Sequence, residues 1–251
     1  MDELKVAMEA AKAGATHALK YFDTDVKVEV KQDNSVLSIA DLETENVIKD
    51  LISKKYPGAS FVGEEHGGDR TKDEFWIVDP IDGTRNFLRG IANWCVIVCH
   101  YREGRVQAAV IYYPFEDTYY HGQRGKGAFQ DKKRLHVSTI PEFKDTYFAF
   151  GSPRHFQNKQ LIIDLIEKSA SSRAWDATYC GCLLVSGRID AYIDGYGKAW
   201  DLAPFTLLVD EAGGKLTRSD GSAWTIQEGT GAIMTNGLVH DEMIKIIGGR
   251  K

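Results

Sequence analysis

The stretch "DEFWIVDPIDGT", Asp73 to Thr84, carries an apolar run straight into two carboxylates. Phe75 to Val78 reads as a buried strand, and Asp79 and Asp82 follow it with Pro80 and Ile81 between them. A carboxylate at the end of a buried strand is costly unless a cation neutralises it. Either a metal sits there, or the acids are turn-formers that happen to lie close. Pro80 fixes its own φ and biases Asp79 toward extended geometry. With Asp79 at a strand end and Asp82 one tight turn later, both side chains can face one point. The Ile81 carbonyl between them can add an oxygen. Gly83 lets a ligand approach the backbone, and Thr84 places a hydroxyl at the start of a short helix, whose free N–H groups favour a phosphate.

Three further acids stand where strands or loops meet apolar segments: Glu64 and Glu65 in "FVGEEH", and Asp201 in "GKAWDLAPF". An all-oxygen acidic set suits hard cations, Mg²⁺ or Mn²⁺, over zinc. Each piece alone has a plainer reading. Asp201 is a good helix N-cap, Asp82-Gly83 an ordinary turn, and Glu64-Glu65 a solvated loop. The order Asp, Pro, Asp, Gly, Thr behind a buried strand is what tips the balance toward a cation site.

The chain has 251 residues, 43% of them hydrophobic and 27% charged, the composition of a soluble globular protein. One large domain or two tightly joined ones fit that length. A net charge of −5 does not suggest a nucleic-acid surface. Polar residues interrupt every apolar run well short of a membrane span. The opening "MDELKVAMEAAKAG" lacks the build of a signal peptide, so the cytoplasm is the expected location. Cys95, Cys99, Cys180 and Cys182 are too few for a disulfide framework and lack zinc-ligand spacing, so they read as buried free thiols. His66, His121, His136 and His155 likewise lack ligand spacing. "GQRGKGAF", Gly122 to Phe129, has the glycines of a phosphate loop but follows a hairpin strand, and reads as a turn.

Apolar residues at Leu4, Met8, Ala11, Ala15, Leu19 and Phe22 mark a first helix. Val26, Val28 and Val30 suggest a half-exposed strand, and Asp41 to Lys55 a second helix. Phe61-Val62, Trp94 to Tyr101, Arg105 to Tyr113, Thr118 to His121 and Gly127 to Gln130 read as strands, the longer two a hairpin about Glu103-Gly104. Beyond them come strands at Tyr147 to Phe150 and Ala191 to Asp194. Helices are expected at Gln160 to Ala170 and Gly181 to Ser186, and at Leu202 to Ala212 with Asp201 as its cap and Pro204 in its first turn. Runs of strands between helices, without strand–helix–strand alternation, argue for a layered α+β fold.

These segments together resemble the inositol monophosphatase family of Mg²⁺-dependent, lithium-sensitive phosphatases. "WIVDPIDGTRNF" (Trp76–Phe87) and "WDLAPFTLLVDEAGG" (Trp200–Gly214) carry the resemblance, supported by "GEE" (Gly63–Glu65) and "SIADLETE" (Ser38–Glu45). It implies a single domain over residues 1–251, an α/β/α/β/α sandwich with halves at about 1–145 and 146–251. It also implies that Asp79 bridges two metals, that Glu64 and the Ile81 carbonyl complete the first, and that Asp82 and Asp201 hold the second. A third, weaker site lies near Glu64. Glu64, Thr84 and Asp41 would be catalytic, with Thr84 bonded to Asp41 and positioning the attacking water. Gly83 and Thr84, with Asp82 and Asp201, would contact the phosphate ester. Mg²⁺ is the implied cofactor, Mn²⁺ a substitute, Li⁺ an inhibitor and a homodimer the usual state, with neither nucleic acid nor membrane as partner.

The resemblance is less decided about the substrate. Inositol-phosphate enzymes carry a glutamate seven residues before the Trp-Asp aspartate to bind sugar hydroxyls, and this chain has Asp194 there. Histidinol-phosphate phosphatases carry Gly-Gly-Asp-Cys-Tyr where this chain has "SRAWDATYCGC", Ser172 to Cys182. Within it Arg173, Asp176 and Ala177 are the candidate substrate contacts. Arg85 and Trp94 lean toward histidinol phosphate, Asn86 toward inositol-1-phosphate or a similar polyol or sugar phosphate, which is the expected substrate. Fructose-1,6-bisphosphate is a further alternative, and a non-catalytic regulatory binding protein is the reading outside enzymes.

Overall fold

The computed structural model describes residues 2–26, 28–30, 36–227 and 229–248. It divides into two compact units, one holding the chain as far as Arg124 with Phe129–Lys132, the other holding Gly125–Ala128 and the chain from Lys133 onward.

The first unit opens with α1 (Glu3–Ala18), whose first-turn amides of Leu4 and Lys5 are capped by the Asp2 carboxylate. Its buried stripe is made almost entirely of small residues: Val6, Ala7, Ala10, Ala11, Gly14, Ala15 and Ala18. Small side chains let α1 lie close on α2 (Ile39–Lys55). A Cβ placed on Gly14 would stand 2.7 Å from the Ile48 side chain. Between the two helices β1 (Val28–Val30) and β2 (Val36–Ser38) pair antiparallel, with Val28 opposite Ser38. Next come β3 (Phe61–Gly63), β4 (Glu74–Asp82), the single turn α3 (Thr84–Phe87), β5 (Cys95–Arg102), β6 (Arg105–Tyr113) and β7 (Thr118–Gln123). β3 is parallel to β4, and β4, β5, β6 and β7 follow as antiparallel neighbours. Glu103 and Gly104 make the β5–β6 turn, both with positive φ (56° and 77°), as a two-residue hairpin of the primed type requires. Along one face of β4–β6, Trp76, Val78, Val96, Val98, Val110 and Tyr112 meet the stripes of α1 and α2, and this is the unit's core. Each large side chain fully buried there contributes roughly 1.5–3 kcal/mol. β8 (Gly127–Gln130) and β9 (Lys133–Arg134) follow where the chain passes from one unit to the other.

The second unit is built on a five-stranded sheet. Its strands are β10 (Tyr147–Phe150), β11 (Ser171–Ala174), β12 (Ala191–Asp194), β13 (Lys215–Thr217) and β14 (Ala232–Thr235), in the order β11-β10-β12-β14-β13. β10 is parallel to β11 and β12, and β14 is antiparallel to β12 and β13. Helix α4 (Lys159–Lys168) and the last helix, α7 (His240–Gly248), cover Phe148, Phe150, Ile193 and Ile233 with Ile162, Leu165 and Met243. The other two helices, α5 (Ala177–Val185) and α6 (Ala199–Glu211), pack on each other. Their contact is tight because Gly181 leaves room for the Phe205 ring.

Most predicted elements are present, with four corrections. Helix α6 starts three residues before the predicted Leu202, its N-cap is Lys198, and Asp201 is the third helical residue. Asp201 still serves the helix end, because its Oδ2 accepts the Lys198 N–H at 2.8 Å. Pro204 therefore sits beyond the first turn and removes an internal N–H donor. Helix α5 begins at Ala177 rather than Gly181. β2, β11, β13, β14 and α7 stand outside the predicted elements; the strands are only three or four residues long, and β11 ("SSRA") is polar. Among the described residues no helix is long and apolar enough to cross a membrane, and all four cysteines are free and buried.

Candidate active site

The two carboxylates of "DPID" owe their arrangement to an irregular strand. Asp79 pairs with Ile97 and Asp82 with Cys95, so three steps along β4 match two along β5. That is a β-bulge, and Pro80, which cannot donate to the ladder, sits inside it. In a regular strand residues three apart point to opposite faces. The extra residue cancels that reversal, and a carboxylate oxygen of Asp79 comes within 4.8 Å of one of Asp82. Asp79 is 1% exposed and Asp82 is half-buried. The Ile81 N–H donates to Asp79 Oδ1 at 3.1 Å, and the buried Cys95 thiol donates to Asp82 Oδ2 at 3.5 Å.

Gly83 follows with φ 89° and caps α3. A Cβ at this position would stand 3.1 Å from the Asn93 carbonyl, so both the backbone angle and the space call for glycine. The chain then turns so that the Thr84 hydroxyl lies 3.1 Å from the Ile81 carbonyl and 3.4 Å from Asp41 Oδ1. Asp41 is 1% exposed and is the third residue of α2. Its other oxygen, Oδ2, accepts from the Ser38 N–H (2.8 Å) and the Ser38 hydroxyl (2.6 Å). One carboxylate thus closes the end of a helix with one oxygen and faces Thr84 with the other. The predicted Thr84–Asp41 pair is in place.

Glu64 lies just past β3. Its N–H donates to the Val78 carbonyl at 3.2 Å, which ties it beside β4 one residue from Asp79. The loop it starts is closed by reciprocal backbone bonds between Gly63 and Gly67 (2.9 and 3.1 Å). Within the first unit, then, Asp41, Glu64, Asp79, Ile81, Asp82, Gly83 and Thr84 all gather about the end of β4. Sequence reasoning missed two contributors. Ser38, which holds Asp41, was detectable as the start of a Ser-x-x-Asp capping pattern. Cys95, which bonds Asp82, had no local signal because it depends on the β4–β5 register.

The remaining predicted residues belong to the second unit. Asp201 holds the start of α6, as described above, in the way Asp41 holds the start of α2. Asp194 ends β12 and is 6% exposed. Its Oδ1 accepts the N–H groups of Tyr196 (2.8 Å) and Gly197 (3.0 Å) and so shapes the loop ahead of α6. Its Oδ2 is buried and has no hydrogen-bond donor among the described residues. Arg173 is exposed on the edge strand β11, donating to the Ser172 carbonyl at 2.6 Å with its guanidinium 5.7 Å from the Tyr147 ring centroid. Asp176 occupies the N-cap position of α5 without a side-chain capping bond, and Ala177 is that helix's first residue. Trp175 stacks on Tyr147 (centroids 6.1 Å apart) and meets Tyr179 edge-on (6.0 Å).

Two like charges within 4.8 Å repel each other, and a divalent cation beside them turns that repulsion into attraction. Asp79, Asp82, the Ile81 carbonyl and Glu64 offer only oxygen donors, which fits a hard cation. The sequence profile of the inositol monophosphatase family matches residues 2–249. An inositol-1-monophosphatase of Mesorhizobium japonicum is 33% identical, over 97% of this chain and 95% of that protein. A histidinol-phosphatase of Mycobacterium tuberculosis is 31% identical, over 97% and 96%. Among solved structures, an IMPase of Thermotoga maritima superposes with a TM-score of 0.91 at 26% identity, covering 99% of this chain and 98% of that one. The fold is accordingly the layered α+β type.

Proposed function

The chain belongs to the inositol monophosphatase family, metal-dependent phosphoric monoester hydrolases acting on small phosphate esters, and from that premise we propose that it is a Mg²⁺-dependent phosphatase of inositol-1-phosphate or a similar polyol phosphate. The observation that carries the reading is the bulged end of β4, which turns Asp79 and Asp82 to the same side with the Ile81 carbonyl between them.

Phosphate monoesters hydrolyse very slowly unaided. Paired Mg²⁺ ions supply charge neutralisation at the phosphoryl group, an acidified water and a stabilised leaving oxygen. In this reading Asp79, Glu64 and the Ile81 carbonyl hold one ion, and Asp82 with Asp201 the other; a third, weaker position lies near Glu64. The assignment of Asp201 rests on family membership. Thr84 orients the attacking water. Its hydroxyl faces Asp41 Oδ1, so as Thr84 Oγ takes the water's proton its own proton would pass to the Asp41 carboxylate, which becomes neutral. The Gly83 and Thr84 amides hold phosphate oxygens, and glycine is what lets the phosphate come that close.

Asp194 supports a polyhydroxylated alcohol. It stands where inositol-phosphate enzymes carry the glutamate that binds sugar hydroxyls. A second reading, histidinol phosphate, is favoured by the exposed Asp176 next to the Trp175 ring, a carboxylate and an aromatic face that together attract an ammonium group. Phosphate release with Mg²⁺ from inositol-1-phosphate, histidinol phosphate, fructose-1,6-bisphosphate and adenosine 3′,5′-bisphosphate separates these readings. Fastest turnover of the first is expected. A clear preference for histidinol phosphate overturns the substrate, and no release from any overturns the phosphatase in favour of a binding protein. A cytoplasmic homodimer completes the proposal, and light scattering tests the dimer.

A further inference from the structure

Helix α2 presents a second buried acid one turn after Asp41. Glu45 is 4% exposed, and its carboxylate points into the loop that begins at Glu64. Oε2 accepts the Glu65 N–H at 2.9 Å. Oε1 accepts the His66 N–H at 3.1 Å and lies 2.7 Å from His66 Nδ1. Loop amides left without such acceptors at this depth would be costly. The chain also makes room for this contact. A Cβ on Gly63 would fall 2.1 Å from Glu45 Oε1, so only glycine there lets the carboxylate lie against the loop. These bonds run to residues next to the predicted metal ligands. What they hold is the backbone on either side of one of them: Gly63 before Glu64, Glu65 and His66 after it.

We propose that Glu45 is a positioning residue for Glu64. Its carboxylate locks the Gly63–Gly67 loop so that the Glu64 side chain is presented toward the end of β4 before any cation arrives. Asp41 and Glu45 are four apart on one helix and therefore lie on the same face. Asp41 sets Thr84 and Glu45 sets Glu64, so one helix places both the water-orienting hydroxyl and a cation ligand. The inference rests on the reading of Glu64 as a ligand and deepens it.

The test is Glu45→Gln, with Glu45→Asp as the conservative partner, measured by Mn²⁺ titration of the whole protein and by the Mg²⁺ dependence of phosphate release. Glutamine replaces one acceptor oxygen with an NH₂ that opposes the loop amides. Loss of a group that orients a ligand from behind costs about 10–100-fold in metal affinity. The expected result is that Glu45→Gln weakens Mn²⁺ binding by about tenfold or more, with Glu45→Asp between it and wild type. The half-saturating Mg²⁺ rises in step, while kcat at saturating Mg²⁺ falls much less. Amide exchange in metal-free protein is the readout that needs no activity, and Glu65 and His66 should lose protection ahead of the α2 backbone. Unchanged Mn²⁺ affinity in a folded Glu45→Gln overturns the proposal, as does a fall in kcat with no change in metal dependence. If Glu45→Gln does not fold, the same outcomes are read on Glu45→Asp. Should wild type bind Mn²⁺ yet hydrolyse no phosphate ester, the phosphatase reading fails while the binding and exchange results still judge Glu45.

Discussion

His240 opens α7 and is 1% exposed, enclosed by two threonines of the second unit's sheet. The Thr217 hydroxyl donates to the Arg218 carbonyl at 2.8 Å, so towards the imidazole it can only accept. His240 Nε2, at 2.9 Å, must therefore carry the proton. That leaves Nδ1 bare to accept from the Thr235 hydroxyl at 3.0 Å. A proton added to Nδ1 would displace that bond and bury a charge. Burial lowers the pKa from 6.5 to about 4, the nearby Lys215 acting in the same direction and Asp241 opposing it. The folded pKa lies below the unfolded one, so above pH 6.5 neither state is protonated and nothing is lost. Below pH 6.5 the unfolded chain gains a proton that the native state refuses, and stability falls until the folded pKa is reached. At about 1.4 kcal/mol per pH unit, the loss from this one side chain is about 2 kcal/mol at pH 5. Urea unfolding of metal-free wild type and His240→Gln at pH 7.5 and pH 5 measures it. Carboxylate titrations, and that of the buried His100, which shares the direction, are common to both proteins and cancel in the difference. The variant should be the less pH-sensitive by about 2 kcal/mol. Parallel pH dependences in the two proteins would refute the reasoning.

Other outcomes follow from the same geometry. Asp79→Asn should abolish phosphatase activity while circular dichroism stays native, and Mg²⁺-dependent activity kept at near wild-type level would remove the metal assignment. Thr84→Ala should lower kcat by about 10²–10⁴-fold with KM little changed, as loss of a positioned proton carrier does. Gly83→Ala places a Cβ at φ 89° and 3.1 Å from the Asn93 carbonyl, which should cost roughly 1–2 kcal/mol in denaturant titration and lower activity further. Gly181→Ala would set a Cβ 2.2 Å from Phe205 Cζ, and an overpacking cost of about 1–3 kcal/mol should appear as a fall in Tm. Ellman's reagent should label no cysteine in native protein, since all four are buried and burial pushes the Cys99 and Cys180 thiols well above their usual pKa.

Much of the first unit was legible because its strands are long and its turns chemically explicit. The β5–β6 hairpin could be placed from Glu103-Gly104, and β4 from its apolar run. The second unit was harder to read. A three-residue strand such as β13 or a polar one such as β11 is stabilised by its neighbours in the sheet, and a local window does not contain the neighbours. The acids of the site were legible as residue types in an order, but not the device that aligns them. Asp79 and Asp82 face the same way because β4 slips one residue against β5, and register is a property of two strands. Aspartate favours helix N-caps, and from the sequence alone Asp201 reads as one. It serves instead from the third helical position, as Asp41 does, and both readings look alike until the helix start is known.

The double duty of Asp41 ties chemistry to the least secure part of a helix. First turns fray more readily than helix interiors, and fraying is a local opening far cheaper than unfolding the unit. When the first turn of α2 opens, Ser38 lets go of Asp41 Oδ2, and the Oδ1 that faces Thr84 swings away with it. Warming should therefore silence the enzyme reversibly several degrees before the sheet melts, with amide exchange accelerating first in the opening turn of α2. The temperature at which activity fades then reports how firmly one serine holds one aspartate.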